Sequence, residues 1–483
     1  MQAQPAPPAG SAPAASRPQV PAQSGPVYPP YGAPLRGEVR DCYGRRYVVG
    51  PPPREIIGRD RVQLLRGAWL ALVTIGFLQY AYGVAVPTLL SAHGWTHAQA
   101  FGVLALWAVC QGAVAYPAAR LRAAGRLLPR TAMLLGAGLC AAGLLLFAWT
   151  DGLAWALIGY SVLCGVGAGL VYHTCTSTVA RWYPERPATR AGLVSGAFAY
   201  GAIPVIAVFG LWATPAGLEM LLTVLALVVG AVVAACGWHF ADPPRDWWPT
   251  AIDPRSWAVD KRLNRSRAAN PPAVREFSPA EALRSRCWPL LFGTLALAGA
   301  VSLFNIAYLA DFTLRVGGFG LGAAALAAGV LVGANGASRV VASRLSDRLG
   351  RRRTLSLVLA VGALAQFGLL YGGSTGSLGV LLAAALLAGL GGGSFYPLFS
   401  SLALEYYGAR DVGSNTGAIY SAKVVGGVIG IGLTALAVTG AGPPEQGYAI
   451  AFCAAGAAGL LAAALTRLLR QPGHPRTLPA HPR

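Results

Sequence analysis

The sequence predicts an all-α membrane protein of twelve transmembrane helices arranged as two six-helix repeats. Three observations predict it. Hydrophobic residues make up 55% of the 483 positions and charged residues 12%, against about 25% charged in a soluble domain. Apolar runs of about 20 residues, the length that crosses a bilayer, recur twelve times. The loops between them alternate between arginine-rich and arginine-poor.

The spans fall at 67–90, 98–118, 131–150, 153–180, 190–213 and 219–240, then at 289–311, 322–343, 354–372, 377–404, 412–438 and 446–469. Arg59, Arg61 and Arg66 precede helix 1; Arg120, Arg122, Arg126 and Arg130 follow helix 2; Arg181, Arg186 and Arg190 follow helix 4. Arg344, Arg348, Arg351, Arg352 and Arg353 follow helix 8, and Arg467 and Arg470 follow helix 12. The opposite loops are short and carry little arginine, with Arg315 the exception. Positive residues stay on the cytoplasmic side, so both termini are expected there, in a cell's inner membrane. The net charge of +20 is therefore spread over loops, which argues against nucleic acid as a partner.

Outside the spans, residues 1–53 are rich in Pro, Ala and Gly and read as a disordered cytoplasmic tail. Residues 54–240 form the first six-helix half, 241–288 a basic cytoplasmic linker, 289–470 the second half and 471–483 a short tail. Eight cysteines show no C-x-x-C spacing. No structural disulfide, metal site or cofactor is expected, and the chain is expected to be a monomer.

The halves repeat. Gln111 pairs with Asn335, Gly112 with Gly336, Arg120 with Arg344 and Tyr172 with Tyr396, all at an offset of 224 positions (335 minus 111). After one inserted residue, Gly201 pairs with Gly426 and Phe198 with Lys423. Two repeats in the same orientation are the construction of a rocking transporter, with its substrate held between them near the midplane. Glycines in helices 4, 5, 10 and 11 suit close, sliding contacts.

The segment Arg344-Leu-Ser-Asp347-Arg348-Leu-Gly350-Arg351-Arg352 resembles the D-R-x-G-R-[RK] signature of the major facilitator superfamily. The resemblance implies a gating role for Asp347, Arg348, Gly350 and Arg351. The first-half copy is worn, with Ala123 where the acid belongs. Within the superfamily the chain is similar to the oxalate/formate antiporter family, over roughly residues 67–470. That likeness rests on Gly-Val-Gly-Ala-Gly-Leu-Val-Tyr at 165–172, Arg-Trp-Tyr-Pro at 181–184, Asn335-Gly-Ala-Ser-Arg339 and Gly417-Ala-Ile-Tyr-Ser-Ala-Lys423.

Two cations stand out. Lys423 lies about 17 Å into helix 11 at 1.5 Å per residue, too deep to reach water. A lysine there costs about 2.5–3.5 kcal/mol, and glycines at 426, 427 and 430 leave room beside it. Arg339 shares a polar stripe with Asn335 and Ser343. With no obvious acid in the apolar runs, the pair calls for an anion. The resemblance makes Arg339 and Lys423 the family's cationic substrate site, and implies Gln79, Tyr80, Gln111, Tyr172, Tyr200 and Tyr396 as its lining. Family members selective for oxalate have a Trp four residues before the helix-10 tyrosine, where this chain has Gly392, so a wider pocket is expected.

The expected activity is transport of small mono- or dicarboxylates across the lipid bilayer by exchange, with proton symport as the alternative and His173 as the residue that would carry a proton. A drug exporter would need an acid deep in helix 1 or 4, and none is there. A membrane sensor without flux stays open. Enzyme motifs such as H-E-x-x-H are missing.

Overall fold

The computed structural model describes residues 37–42, 44–440 and 442–473. Residues 1–36 of the expected tail lie outside the described residues.

Twelve helices are long and apolar enough to cross a membrane. They are helix 1 Arg61–Tyr80, helix 2 His97–Ala123, helix 3 Pro129–Trp149, helix 4 Leu153–Trp182, helix 5 Pro187–Leu211 and helix 6 Pro215–Gly237 in the first half. The second half holds helix 7 Trp288–Arg315, helix 8 Leu321–Leu349, helix 9 Arg351–Ser374, helix 10 Leu378–Tyr407, helix 11 Val412–Val438 and helix 12 Pro444–Leu468. All twelve expected spans are present. Most begin before the expected apolar window, while helices 1, 5 and 6, ending at Tyr80, Leu211 and Gly237, stop short of its end.

Helix 1 is interrupted at Gly76 and Ala81 and continues as Tyr82–His93. The short stretch Phe77–Tyr80 between the breaks is fully buried. Gly76 and Ala81 both keep right-handed helical dihedrals, and Gln79 and Tyr80 of this stretch reach side chains of the second half.

The halves meet along helix 1 against helix 7, helix 2 against helix 11 and helix 5 against helix 8. Small residues allow these approaches. A Cβ on Gly196 of helix 5 would sit 2.8 Å from the Gly336 carbonyl of helix 8, and a Cβ on Gly83 would sit 2.6 Å from the Ala307 carbonyl of helix 7. The glycines beside Lys423 serve the same purpose. A Cβ on Gly426 would lie 3.1 Å from the Ala300 nitrogen of helix 7, and one on Gly427 3.0 Å from Ala108 of helix 2. They bring backbones together instead of leaving space.

Residues 37–42 and 44–53, expected to be disordered, are ordered. Strands β1 Gly37–Arg40 and β2 Arg46–Val49 pair antiparallel, and β2 pairs in parallel with β3 Trp247–Trp248 of the linker. Tyr47 packs edge-on to Trp248 with centroids 5.1 Å apart. Composition hid this because aromatic anchors 200 positions downstream complete the sheet.

The two ends of the bundle differ. The arginine-rich end holds a cavity of about 2650 Å³, lined by both halves, the linker and the β1–β2 segment. The opposite end is closed by helix 1 on helix 7, where Phe101 of helix 2 also meets Tyr308 with ring centroids 4.0 Å apart.

Candidate functional site

Both buried cations lie between the halves. Arg339 is 1% exposed and Lys423 2%. Arg339 Nη1 donates to the Ser195 carbonyl of helix 5 at 2.8 Å and to the Tyr172 hydroxyl of helix 4 at 3.4 Å. Its Nη2 donates to the Tyr80 hydroxyl at 2.6 Å and to Asn335 Oδ1 at 3.0 Å. The Tyr80 hydroxyl donates in turn to Asn335 Oδ1 at 3.1 Å. Lys423 Nζ donates to Gln79 Oε1 at 2.6 Å and to Gln111 Oε1. It also lies 5.4 Å from the centre of the Trp107 ring.

Adjacent residues of the interrupted helix 1 thus reach one cation each, Gln79 to Lys423 and Tyr80 to Arg339. The repeat mates Gln111 and Asn335 do the same from helices 2 and 8. Every hydrogen-bond acceptor they reach is a neutral oxygen, and neither cation forms an ion pair among the described residues. Hydrogen bonds to a charged group contribute about 1.5–3 kcal/mol each. That offsets desolvation but leaves both formal charges uncompensated.

Several donors at the site have no partner within the described protein: Arg339 Nε, Gln111 Nε2 and the Tyr396 hydroxyl, together with the ring nitrogen Nε2 of His173. Buried polar atoms are paired in the great majority of cases, so a cluster of unpaired ones beside two cations describes a surface shaped for an acceptor.

Aromatic rings wall the site on the side of the cavity. The Tyr396 ring centre lies 5.3 Å from the Arg339 guanidinium. Tyr420 of helix 11, one turn before Lys423, meets Tyr396 at 5.7 Å and Tyr172 at 5.8 Å between centroids. His173 stands edge-on to Tyr420 at 4.5 Å and lines the cavity below. Sequence reasoning missed Tyr420 and Trp107; the turn spacing from Tyr420 to Lys423 was the available signal.

Of the expected lining, the structure gathers Gln79, Tyr80, Gln111, Tyr172 and Tyr396. Tyr200 packs at the seam between helices 5 and 8, within electrostatic reach of Arg339. It is half-buried, and its ring lies against Gly336, whose added Cβ would be 2.7 Å from Tyr200 Cε1. Gly392 does border the site. A Cβ there would meet Ser302 Oγ at 3.1 Å and Asn335 Nδ2 at 3.5 Å.

The gating segment forms an ion cluster within the second half. Arg351 binds Asp347 of helix 8 at 2.7 Å and Glu405 of helix 10 at 3.0 Å. It also donates to Ser266 of the linker at 3.1 Å, and its backbone N–H donates to Asn270 at 2.8 Å. Gly350 takes φ +91°, a conformation suited to glycine, and so turns the chain from helix 8 into helix 9. Arg348 is exposed and outside the cluster.

The worn first-half copy has a substitute. Asp242, just past helix 6, binds Arg122 of helix 2 at 2.8 Å and Arg181 of helix 4 at 2.8 Å, and accepts from Thr178 at 2.8 Å. In one half an arginine holds two carboxylates; in the other a carboxylate holds two arginines.

Among the described residues no three His, Cys, Asp or Glu side chains gather as a metal site. All eight cysteines are free thiols.

The family model of the Major Facilitator Superfamily matches residues 68–431 and, again, 290–482. The oxalate:formate antiporter of Oxalobacter formigenes is 24% identical over 318 residues, 65% of this chain and 70% of that protein. A 38 kDa protein encoded in the 23S RNA operon of Thermoproteus tenax is 28% identical over 305 residues, 62% of this chain and 69% of its own length. The MFS-type transporter YhjX of Escherichia coli is 23% identical over 375 residues, covering 75% and 86%. Among solved structures, the proton:xylose symporter XylE bound to 6-bromo-6-deoxy-D-glucose superposes with a TM-score of 0.65 at 13% identity, over 84% of this chain and 95% of that one. The fucose:proton symporter FucP of E. coli gives 0.56 at 15% identity, over 86% and 100%. At these identities the superpositions speak for the fold alone.

Proposed function

The chain belongs to the major facilitator superfamily, and from that premise we propose that this transporter carries small carboxylate anions, with dicarboxylates of oxalate's kind as the preferred class, by exchange. It is a membrane transporter and not an enzyme. The arginine-rich end is assigned to the cytoplasm and the closed end to the outside.

One observation carries the reading: two buried cations whose hydrogen-bond partners among the described residues are all neutral oxygens. A dicarboxylate gives one carboxylate to the Arg339 fork and the other to Lys423. It also accepts from the unpartnered Arg339 Nε, Gln111 Nε2 and Tyr396 hydroxyl. The cavity leading to the site supports the same sign of charge, since its lining holds fifteen arginines against seven carboxylates. Such a vestibule concentrates anions and speeds their arrival. Exchange follows from the energetics. Passing through a closed intermediate with two uncompensated cations is costly, and an anion in the site removes that cost. Asp347, Gly350 and Arg351, with Asp242 in the other half, act in this reading as braces that keep each half rigid while it rocks.

The test is counterflow. Liposomes containing the purified protein and unlabelled oxalate should take up labelled oxalate rapidly, and far more slowly when loaded with chloride alone. Equal uptake from both would refute exchange. If neither oxalate nor formate enters while larger dicarboxylates do, the oxalate assignment falls.

A further inference from the structure

Lys423 belongs to the second half, but its charge is held by the first. Helix 11 comes so close to helix 2 that a Cβ on Gly112 would sit 3.2 Å from Lys423 Cβ. From there the ammonium reaches Gln79 of helix 1 at 2.6 Å and Gln111 of helix 2. An ammonium has three donors. Two go to the glutamines, and the third has no acceptor among the described residues. What the ammonium meets besides the glutamines is the ring of Trp107, whose centre lies 5.4 Å from Nζ.

Trp107 is fixed from behind. It lies one turn before Gln111, so the two share a face of helix 2. Helix 4 packs on the backbone of this turn, where a Cβ on Gly165 would be 2.8 Å from the Trp107 carbonyl. The side chain is wholly buried. Its Nε1 has no partner among the described residues, although a buried indole ordinarily finds one. A leucine or a phenylalanine would fill this place without stranding a donor. What the indole adds is the strongest π face of any side chain, and a cation is what lies over it.

We propose that Trp107 is a positioning residue for transport: its ring holds the Lys423 ammonium in the empty protein, in the place that an oxyanion of the bound substrate takes over. The proposal rests on the two-cation carboxylate site and names the group that competes there with the substrate.

A carboxylate that reaches Lys423 displaces the weakest of its partners. A cation over a ring gains less than a charged hydrogen bond to a glutamine oxygen, so the ring yields first. A contact made only in the empty state lowers substrate affinity by the factor it contributes there. Trp107 therefore stabilises the empty protein, weakens dicarboxylate binding and helps a bound dianion leave. Formate, seated on Arg339 alone, does not compete with the ring.

The experiment compares Trp107→Phe and Trp107→Leu with the parent, purified in detergent. With no anion present, Lys423→Gln should change the tryptophan emission of the parent, because a positive charge leaves the face of an indole. The same substitution should leave the emission of W107F unchanged. Oxalate added to the parent should shift emission in the same direction as Lys423→Gln does. The oxalate dissociation constant should fall by about tenfold in W107L, the change that a desolvated cation–π contact near the outer limit of its range corresponds to. It should fall by about threefold in W107F, whose ring has a weaker face. A merely structural tryptophan gives the opposite sign, because a cavity beside Lys423 loosens the site and weakens oxalate and formate together. Oxalate bound equally or more weakly by both variants would overturn the inference, as would parent emission that ignores Lys423→Gln. If W107L does not fold, W107F carries both readouts. If oxalate does not bind the parent, the carboxylate reading falls, and the emission comparison still decides whether Trp107 holds Lys423.

Discussion

Removing Asp242 tests whether the first half has replaced its lost acid. Arg122 is 6% exposed at its side chain and Asp242 19%. Asp242→Ala takes both carboxylate oxygens from Arg122, which keeps only hydroxyl acceptors at Ser177 and Thr178. Stranding a buried charge this way costs about 3–5 kcal/mol; the partial exposure of Asp242 puts the expected cost near about 3 kcal/mol. Arg122→Ala in the D242A background removes the stranded charge and should recover about half of that loss, a coupling within the range for contacting pairs. Asp347→Asn is the control. Its side chain is 27% exposed, and Arg351 retains Glu405, so the cost should be under about 1 kcal/mol. Thermal unfolding of the purified protein in detergent reads all four. The reasoning is refuted if the double variant unfolds at the sum of the two single losses, or if D347N falls as far as D242A.

Arg339→Lys keeps the charge but loses the fork that reaches Ser195 and Tyr80 at once. Carboxylate affinity, measured by concentration dependence of exchange, should fall by about tenfold or more; an unchanged affinity would mean that only charge matters. Tyr396→Phe deletes a hydroxyl with no protein partner. It should leave the thermal midpoint unchanged and weaken substrate by about fivefold, the worth of one hydrogen bond of about 1 kcal/mol. A lower midpoint with unchanged affinity would make the hydroxyl structural.

The spans and the repeat were legible because both rest on local patterns, apolar length and offset identities. Lys423 was legible because a charge at that depth has no structural use of its own. Arg339, at a depth where it could have reached water, needed the family likeness to stand out. Three features were not legible, and each depends on residues far apart in the chain. Asp242 reaches Arg122 across 120 positions. Asp311 of helix 7 meets His97 of helix 2 and Tyr448 of helix 12. The β1–β2 segment is recognisable only with Trp247 and Trp248 beside it.

The most direct measurement is the binding of oxalate and formate to the purified protein and to Lys423→Gln. Glutamine keeps a donor for Gln79 and Gln111, so the fold is retained while the charge is lost. A dianion bridging both cations should lose about 3 kcal/mol, a rise in dissociation constant of about a hundredfold. Formate, seated on Arg339 alone, should change by less than about fivefold, well under the 1.4 kcal/mol that a tenfold change represents. Equal losses for both anions, or oxalate binding that survives the substitution, would contradict the two-cation site.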